Sequence, residues 1–82
     1  RDLLYKLLNT MGARPYPSET NFILARVRDP AGLKEAMAER GVAIRAYPGR
    51  QGLEDAIRIS GPADREGFGA LVRALRESKE FL

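Results

Sequence analysis

Two arginines stand in stretches that otherwise read as β-strands: Arg45 in GVAIRA (41–46) and Arg58 in DAIRIS (55–60). A guanidinium does not lose its proton, and leaving it buried without a partner is expensive. Strand side chains alternate between faces, so Val42 and Ile44 point one way and Ala43 and Arg45 the other; likewise Ile57 and Ile59 oppose Ala56, Arg58 and Ser60. If the aliphatic set faces the core, both guanidiniums emerge on the opposite face. Like charges on neighbouring strands repel, an arrangement that makes sense where the face meets a doubly anionic ligand. Arginine suits that task because its planar fork matches carboxylate and phosphate geometry. A strand arginine on the exposed face of a small sheet is also an ordinary solvated side chain, and periodicity by itself leaves both readings open.

Other chemistry is sparse. The chain has no cysteine and no histidine, which removes disulfides, thiol catalysis, the usual zinc sites and His-based acid–base schemes. Gly49 and Gly52 frame a turn with no GxxxxGK[ST] phosphate loop. Ser18, Thr20 and Ser60 have no histidine partner, and the setting for a lysine-based serine nucleophile is absent. Glu54, Asp55 and Asp64 form no recognisable metal or acid–base pair, so no catalytic and no metal-binding residue is assigned. Tyr16 and Tyr47 read as packing residues, with Tyr47 beside the turn also able to touch a ligand. Arg26, Arg28, Arg40, Arg50, Arg65, Arg73 and Arg76 lie at element ends or on helix faces and read as solvated.

The elements that must position the two arginines follow from periodicity. Leu3, Leu4, Leu7, Leu8 and Met11 share a helical stripe over 1–12, closed by Gly12 and followed by the extended stretch ARPYPSET. TNFILARV (20–27) reads as a strand, central or covered on both faces. Asp29 caps a helix over about 30–40 with Pro30 at its first position, packing through Leu33, Ala36, Met37 and the stem of Arg40; Gly41 ends it. Strands follow at 42–46 and 55–60, and Gly61-Pro62 opens a last helix to about 77, with Asp64 and Glu66 in its first turn and Phe68, Leu71, Val72 and Leu75 buried. ESKEFL reads as a frayed end. The order α-β-α-β-β-α predicts an α/β (α+β) domain: a small three-stranded, mostly antiparallel sheet, strand 55–60 in the centre, helices on one face.

The chain has 82 residues, net charge +3 and a pI near 9.7, with 44% hydrophobic and 30% charged residues. That is one small domain of ordinary globular composition, comprising helix and linker over 1–16 and a lobe over 17–82. Its basic residues are dispersed, which argues against a nucleic-acid patch. No apolar run approaches the roughly 20 residues of a membrane span, and the cytoplasm is the default compartment. Arg1 falls directly inside a helical pattern, so the chain reads as a piece of a longer one.

Three segments in order carry a resemblance. PSETNFILARV (17–27) has a Ser-x-x-Asn-Phe strand start in Ser18, Asn21 and Phe22; GVAIRA has Gly41, Val42, Ile44 and Arg45; LEDAIRISG (53–61) has Ile57, Arg58, Ile59, Ser60 and Gly61. Together, most clearly over 17–76, they resemble the C-terminal small domain of histidinol-phosphate aminotransferase, and more broadly the fold-type I enzymes dependent on pyridoxal 5'-phosphate (PLP). The resemblance implies that Arg58 binds a substrate α-carboxylate and that Arg45 helps hold a substrate phosphate. It implies a PLP-binding large domain of the same enzyme as partner, a small anionic amino-acid-like substrate and a homodimeric parent in histidine biosynthesis. The cofactor lysine and its carboxylate partner belong to that large domain; Lys6, Lys34 and Lys79 match neither, so this chain alone is expected to bind no PLP and to be inactive. One departure is that Ser60 is followed directly by Gly61 and Pro62, where the family has a further hydrophobic residue, so the last helix should enter differently. The alternatives are the matching lobe of a PLP-dependent threonine-phosphate decarboxylase or another class I/II aminotransferase, a docking domain, and a βαββα ligand- or RNA-binding module. The last is disfavoured because the open face (Ala43, Arg45, Ala56, Arg58, Ser60) should carry no aromatic platform.

Overall fold

The computed structural model describes residues 2–18, 21–62 and 64–82. Arg1 and Thr20, where the expected first helix and first strand begin, lie outside the described residues. Helix α1 (Asp2–Thr10) buries Leu4 and Leu8, one turn apart, while Leu3 falls off the stripe and is 68% exposed. The helix closes on Gly12 (φ +100°), whose N–H donates to the Asn9 carbonyl (3.3 Å) while Ala13 N–H reaches the Leu8 carbonyl (3.0 Å). This paired closure needs a left-handed residue, which glycine supplies without Cβ strain. Helix α2 (Pro30–Glu39) ends the same way at Gly41 (φ +80°), with Gly41 N–H on Ala38 and Val42 N–H on Met37. Its start is the expected cap: Asp29 accepts from Gly32 N–H at 3.1 Å.

The sheet has four strands where sequence periodicity predicts three. The order is β1 (Arg14–Pro15), β2 (Phe22–Arg26), β4 (Ala56–Ser60), β3 (Arg45–Ala46), and all neighbours are antiparallel. The extra strand β1 lies in the stretch read as an extended connection. Proline has no N–H to give a ladder, so Pro15 is admissible only because β1 is an edge. Strand β4 is interior, as the split arrangement predicts. Strand β3 is shorter than 42–46 because the α2 closure still holds Val42 N–H.

One face of this sheet is covered. Ile23, Ala25, Val27, Ile44, Ile57 and Ile59 pack into one cluster with Leu4, Leu8, Leu33, Met37, Leu71, Ala74 and Leu75. Of the other parity, Phe22, Leu24, Arg45, Arg58 and Ser60 remain exposed or half-buried, whereas Ala56, expected on the open face, is fully buried opposite Arg26. Strand β2 is therefore interior to the sheet but not covered on both faces. Its apolar run reflects a face left open in this chain, with Phe22 39% exposed.

Helix α3 (Arg65–Glu77) begins later than the Gly61-Pro62 expectation. Asp64 is its cap, accepting from Gly67 N–H at 2.6 Å, rather than a first-turn residue. The segment read as frayed is ordered: α4, a short 3-10 helix (Lys79–Phe81), packs back on the domain. Phe81 and Leu82 carbonyls accept from Asp29 N–H (2.9 Å) and Arg28 N–H (3.1 Å), and Leu82 is 8% exposed. The backbone donors ahead of α2 need partners, and the C-terminal segment meets that need.

Candidate site on the open sheet face

The register places Arg45 directly opposite Arg58, and Leu24 opposite Arg58 on its other side. Arg45 is exposed and Arg58 half-buried. Among the described residues the ion pairs are Arg14–Asp55, Arg26–Asp55, Arg40–Glu39 and Arg40–Glu77. None of these involves Arg45 or Arg58. The two guanidinium-bearing strands thus meet on the helix-free face with no carboxylate paired to either guanidinium among the described residues. A depression of about 620 Å³ beside them is lined by Leu24, Arg45, Tyr47, Arg50, Leu53 and Arg58. A second, of about 500 Å³, is bordered by Lys34, Ala43, Arg45, Arg58 and Ser60. Among the described residues neither is lined by a carboxylate, and the charged groups they present to an entering anion are cations.

Two features escaped the sequence reading. The open face does carry an aromatic: the Arg58 guanidinium lies 4.8 Å from the centroid of the Phe22 ring. Phe22 is opposite Ser60 in the register, hence diagonal to Arg58. The signal was present in the alternation of β2, where Phe22, Leu24 and Arg26 share one parity. The second feature is Arg26, read as solvated. It donates to the Tyr16 hydroxyl (2.8 Å), to the Gly52 carbonyl (3.1 Å) and to Asp55. The Tyr16 and Asp55 bonds hold its protonation constant above the ordinary guanidinium range. Its ring contact with Tyr16 is 5.7 Å. Arg26 thereby ties β2 to the β3–β4 turn, whose Gly52 N–H is also held by Glu54 (2.9 Å). That turn carries Tyr47 and Arg50 to the rim of the site. Tyr16, expected to be a packing residue, is instead 46% exposed and serves as an acceptor for Arg26, while Tyr47 lines the depression.

Comparison with known proteins finds relatives over most of this chain. Histidinol-phosphate aminotransferase of Thermoanaerobacter pseudethanolicus is 35% identical over 75 residues, covering 92% of this chain and 21% of the relative. The enzyme of Caldanaerobacter subterraneus subsp. tengcongensis is 34% identical over 78 residues, covering 94% and 22%. This chain is similar to one stretch of a histidinol-phosphate aminotransferase. The enzyme of that name in Bdellovibrio bacteriovorus, 32% identical, covers 98% of the chain and 22% of its own length. The chain thus spans about one fifth of the aminotransferases it matches. No family model matches it.

The aminotransferase likeness implies PLP, and the residues present do not make a site for it. Such a site needs a lysine to hold the cofactor and a carboxylate for its ring nitrogen. Lys6 and Lys79 are exposed, on α1 and α4. Lys34, also exposed, on α2, borders the second depression and another lined by Asp29, Glu35 and Glu54, whose carboxylates would repel the cofactor phosphate. Among the described residues no cluster of carboxylates could bind a metal, and no helix is long and apolar enough to cross a membrane.

Proposed function

We propose that this chain is the C-terminal, substrate-gripping lobe of a cytoplasmic PLP-dependent aminotransferase acting on histidinol phosphate in histidine biosynthesis, with glutamate and 2-oxoglutarate as the second substrate pair. The observation that carries the proposal is the direct cross-strand pairing of Arg45 and Arg58 on the helix-free face. The near full-length similarity of the chain to histidinol-phosphate aminotransferases supports it. PLP, bound by the large domain of a homodimeric parent, supplies the electron sink for amino transfer. The lobe's task is to grip and orient. Arg58 takes the α-carboxylate of the amino-acid substrate through two parallel charge-assisted bonds. A phosphate ester at the same end of histidinol phosphate, which has no carboxylate, is dianionic and engages Arg58 and Arg45 together. One cation pair thereby serves two chemically different substrates. Closing a second wall over this face would expel water and strengthen both contacts.

The test is amino transfer from histidinol phosphate to 2-oxoglutarate by the full-length protein containing this chain. Loss of that activity on Arg58→Ala with cofactor retention intact is expected. Full activity with Arg45 and Arg58 both replaced by alanine would overturn the reading.

A further inference from the structure

We infer that Phe22 is a positioning residue for the Arg58 guanidinium. The inference rests on the anion-gripping role proposed above for Arg58. Like charge on Arg45, directly opposite, pushes the Arg58 head group away, and Leu24, on the other side, offers it no polar partner. What lies against the guanidinium is the Phe22 ring, with its centroid 4.8 Å from the guanidinium carbon. A cation at that distance from an aromatic face is attracted by the ring quadrupole, and the attraction grows as water is removed. The ring comes from β2 and the arginine from β4, and these neighbours are paired over five residues from Phe22↔Ser60 to Arg26↔Ala56. The backbone ladder therefore fixes the platform relative to the arginine stem. A flexible side chain that would otherwise sample many rotamers is held against one surface, with its hydrogen-bonding edges left for an anion. Phe22 itself is 39% exposed, so the ring is not primarily a core residue, and its removal leaves the cluster beneath the sheet in place.

The distinction from a merely structural role lies in coupling. In the full-length enzyme, Phe22→Leu keeps apolar bulk and removes the ring face, whereas Phe22→Tyr keeps the face. Phe22→Leu is expected to lower kcat/KM with glutamate by roughly 2- to 30-fold, the span of such contacts from exposed to dehydrated settings. Phe22→Tyr should stay near wild type. In an Arg58→Ala background, Phe22→Leu should have no further effect, because the group it positions is gone. A second readout is independent of turnover. In the 82-residue chain, the Arg58 Nε–H resonance should carry a ring-current shift that Phe22→Leu abolishes and Phe22→Tyr retains. A severe Arg58→Ala with an additive Phe22→Leu overturns this inference and leaves the grip reading standing. A mild Arg58→Ala overturns both. An Arg58 resonance indifferent to Phe22→Leu also refutes the positioning role.

Discussion

Replacing Arg58 by alanine in the full-length enzyme isolates the grip on the substrate anion. In the lobe alone the side chain is half-buried, on an open face and without a carboxylate partner among the described residues. An exposed ion pair of this kind is worth about 0–1 kcal/mol, so the isolated lobe should hold carboxylates only feebly. Enclosed against a second wall, the same guanidinium and its carboxylate form a dehydrated pair. Removing one partner of such a pair costs about 3–5 kcal/mol. At about 1.4 kcal/mol per decade this amounts to roughly two to four powers of ten in kcat/KM. Arg45, directly across the ladder, leaves residual positive potential, so the lower half of that range is expected. Arg58→Lys should recover little, since an ammonium cannot reproduce the two-pronged contact. The assay is steady-state kinetics with glutamate and with histidinol phosphate, alongside the absorbance of bound cofactor. A loss below tenfold on both substrates, or a loss explained by cofactor release, would refute the reasoning and return Arg58 to a solvated surface residue.

Arg45→Ala should impair histidinol phosphate strongly and leave glutamate nearly untouched; equal losses in the two half-reactions would remove its phosphate role. Borohydride reduction of the isolated chain with PLP should leave no stoichiometric label, and a single-site label on Lys34 would contradict the assignment of the cofactor to another domain. Gly32→Ala should destabilise despite the roughly 1 kcal/mol helix preference for alanine. An added Cβ would stand 2.5 Å from Asp29 Oδ2 and 2.8 Å from the Phe81 ring, so overpacking of about 1–3 kcal/mol is expected in urea unfolding; a stabilised variant would show that the C-terminal segment is not packed there. Ser78→Ala should hold or raise stability, by up to about 1–3 kcal/mol, because the fully buried Ser78 Oγ has no hydrogen-bond partner among the described residues; a clear loss in the same denaturation would mean the hydroxyl is paired after all.

Local chemistry in the sequence determined most of the framework. The Asp29-Pro30 start, the glycine closures at Gly12 and Gly41, and the alternation that sends Arg45 and Arg58 to one face are all decided within a few residues. The α+β order and the interior place of the 55–60 strand also follow, because a short loop between the last two strands permits only an antiparallel pair. Tertiary structure decided the rest, and the reason in each case is a partner distant in the chain. Arg14–Pro15 becomes a strand only because β2 offers it an edge. The 78–82 segment orders because Arg28 and Asp29 have backbone donors to satisfy. Arg26 becomes a bridge because Asp55, twenty-nine positions on, meets it across the sheet. Phe22 comes to lie against Arg58 only through the β2–β4 register. Sequence period assigns a side chain to a face, but which neighbour it meets there depends on strand order and register, which are properties of the folded chain.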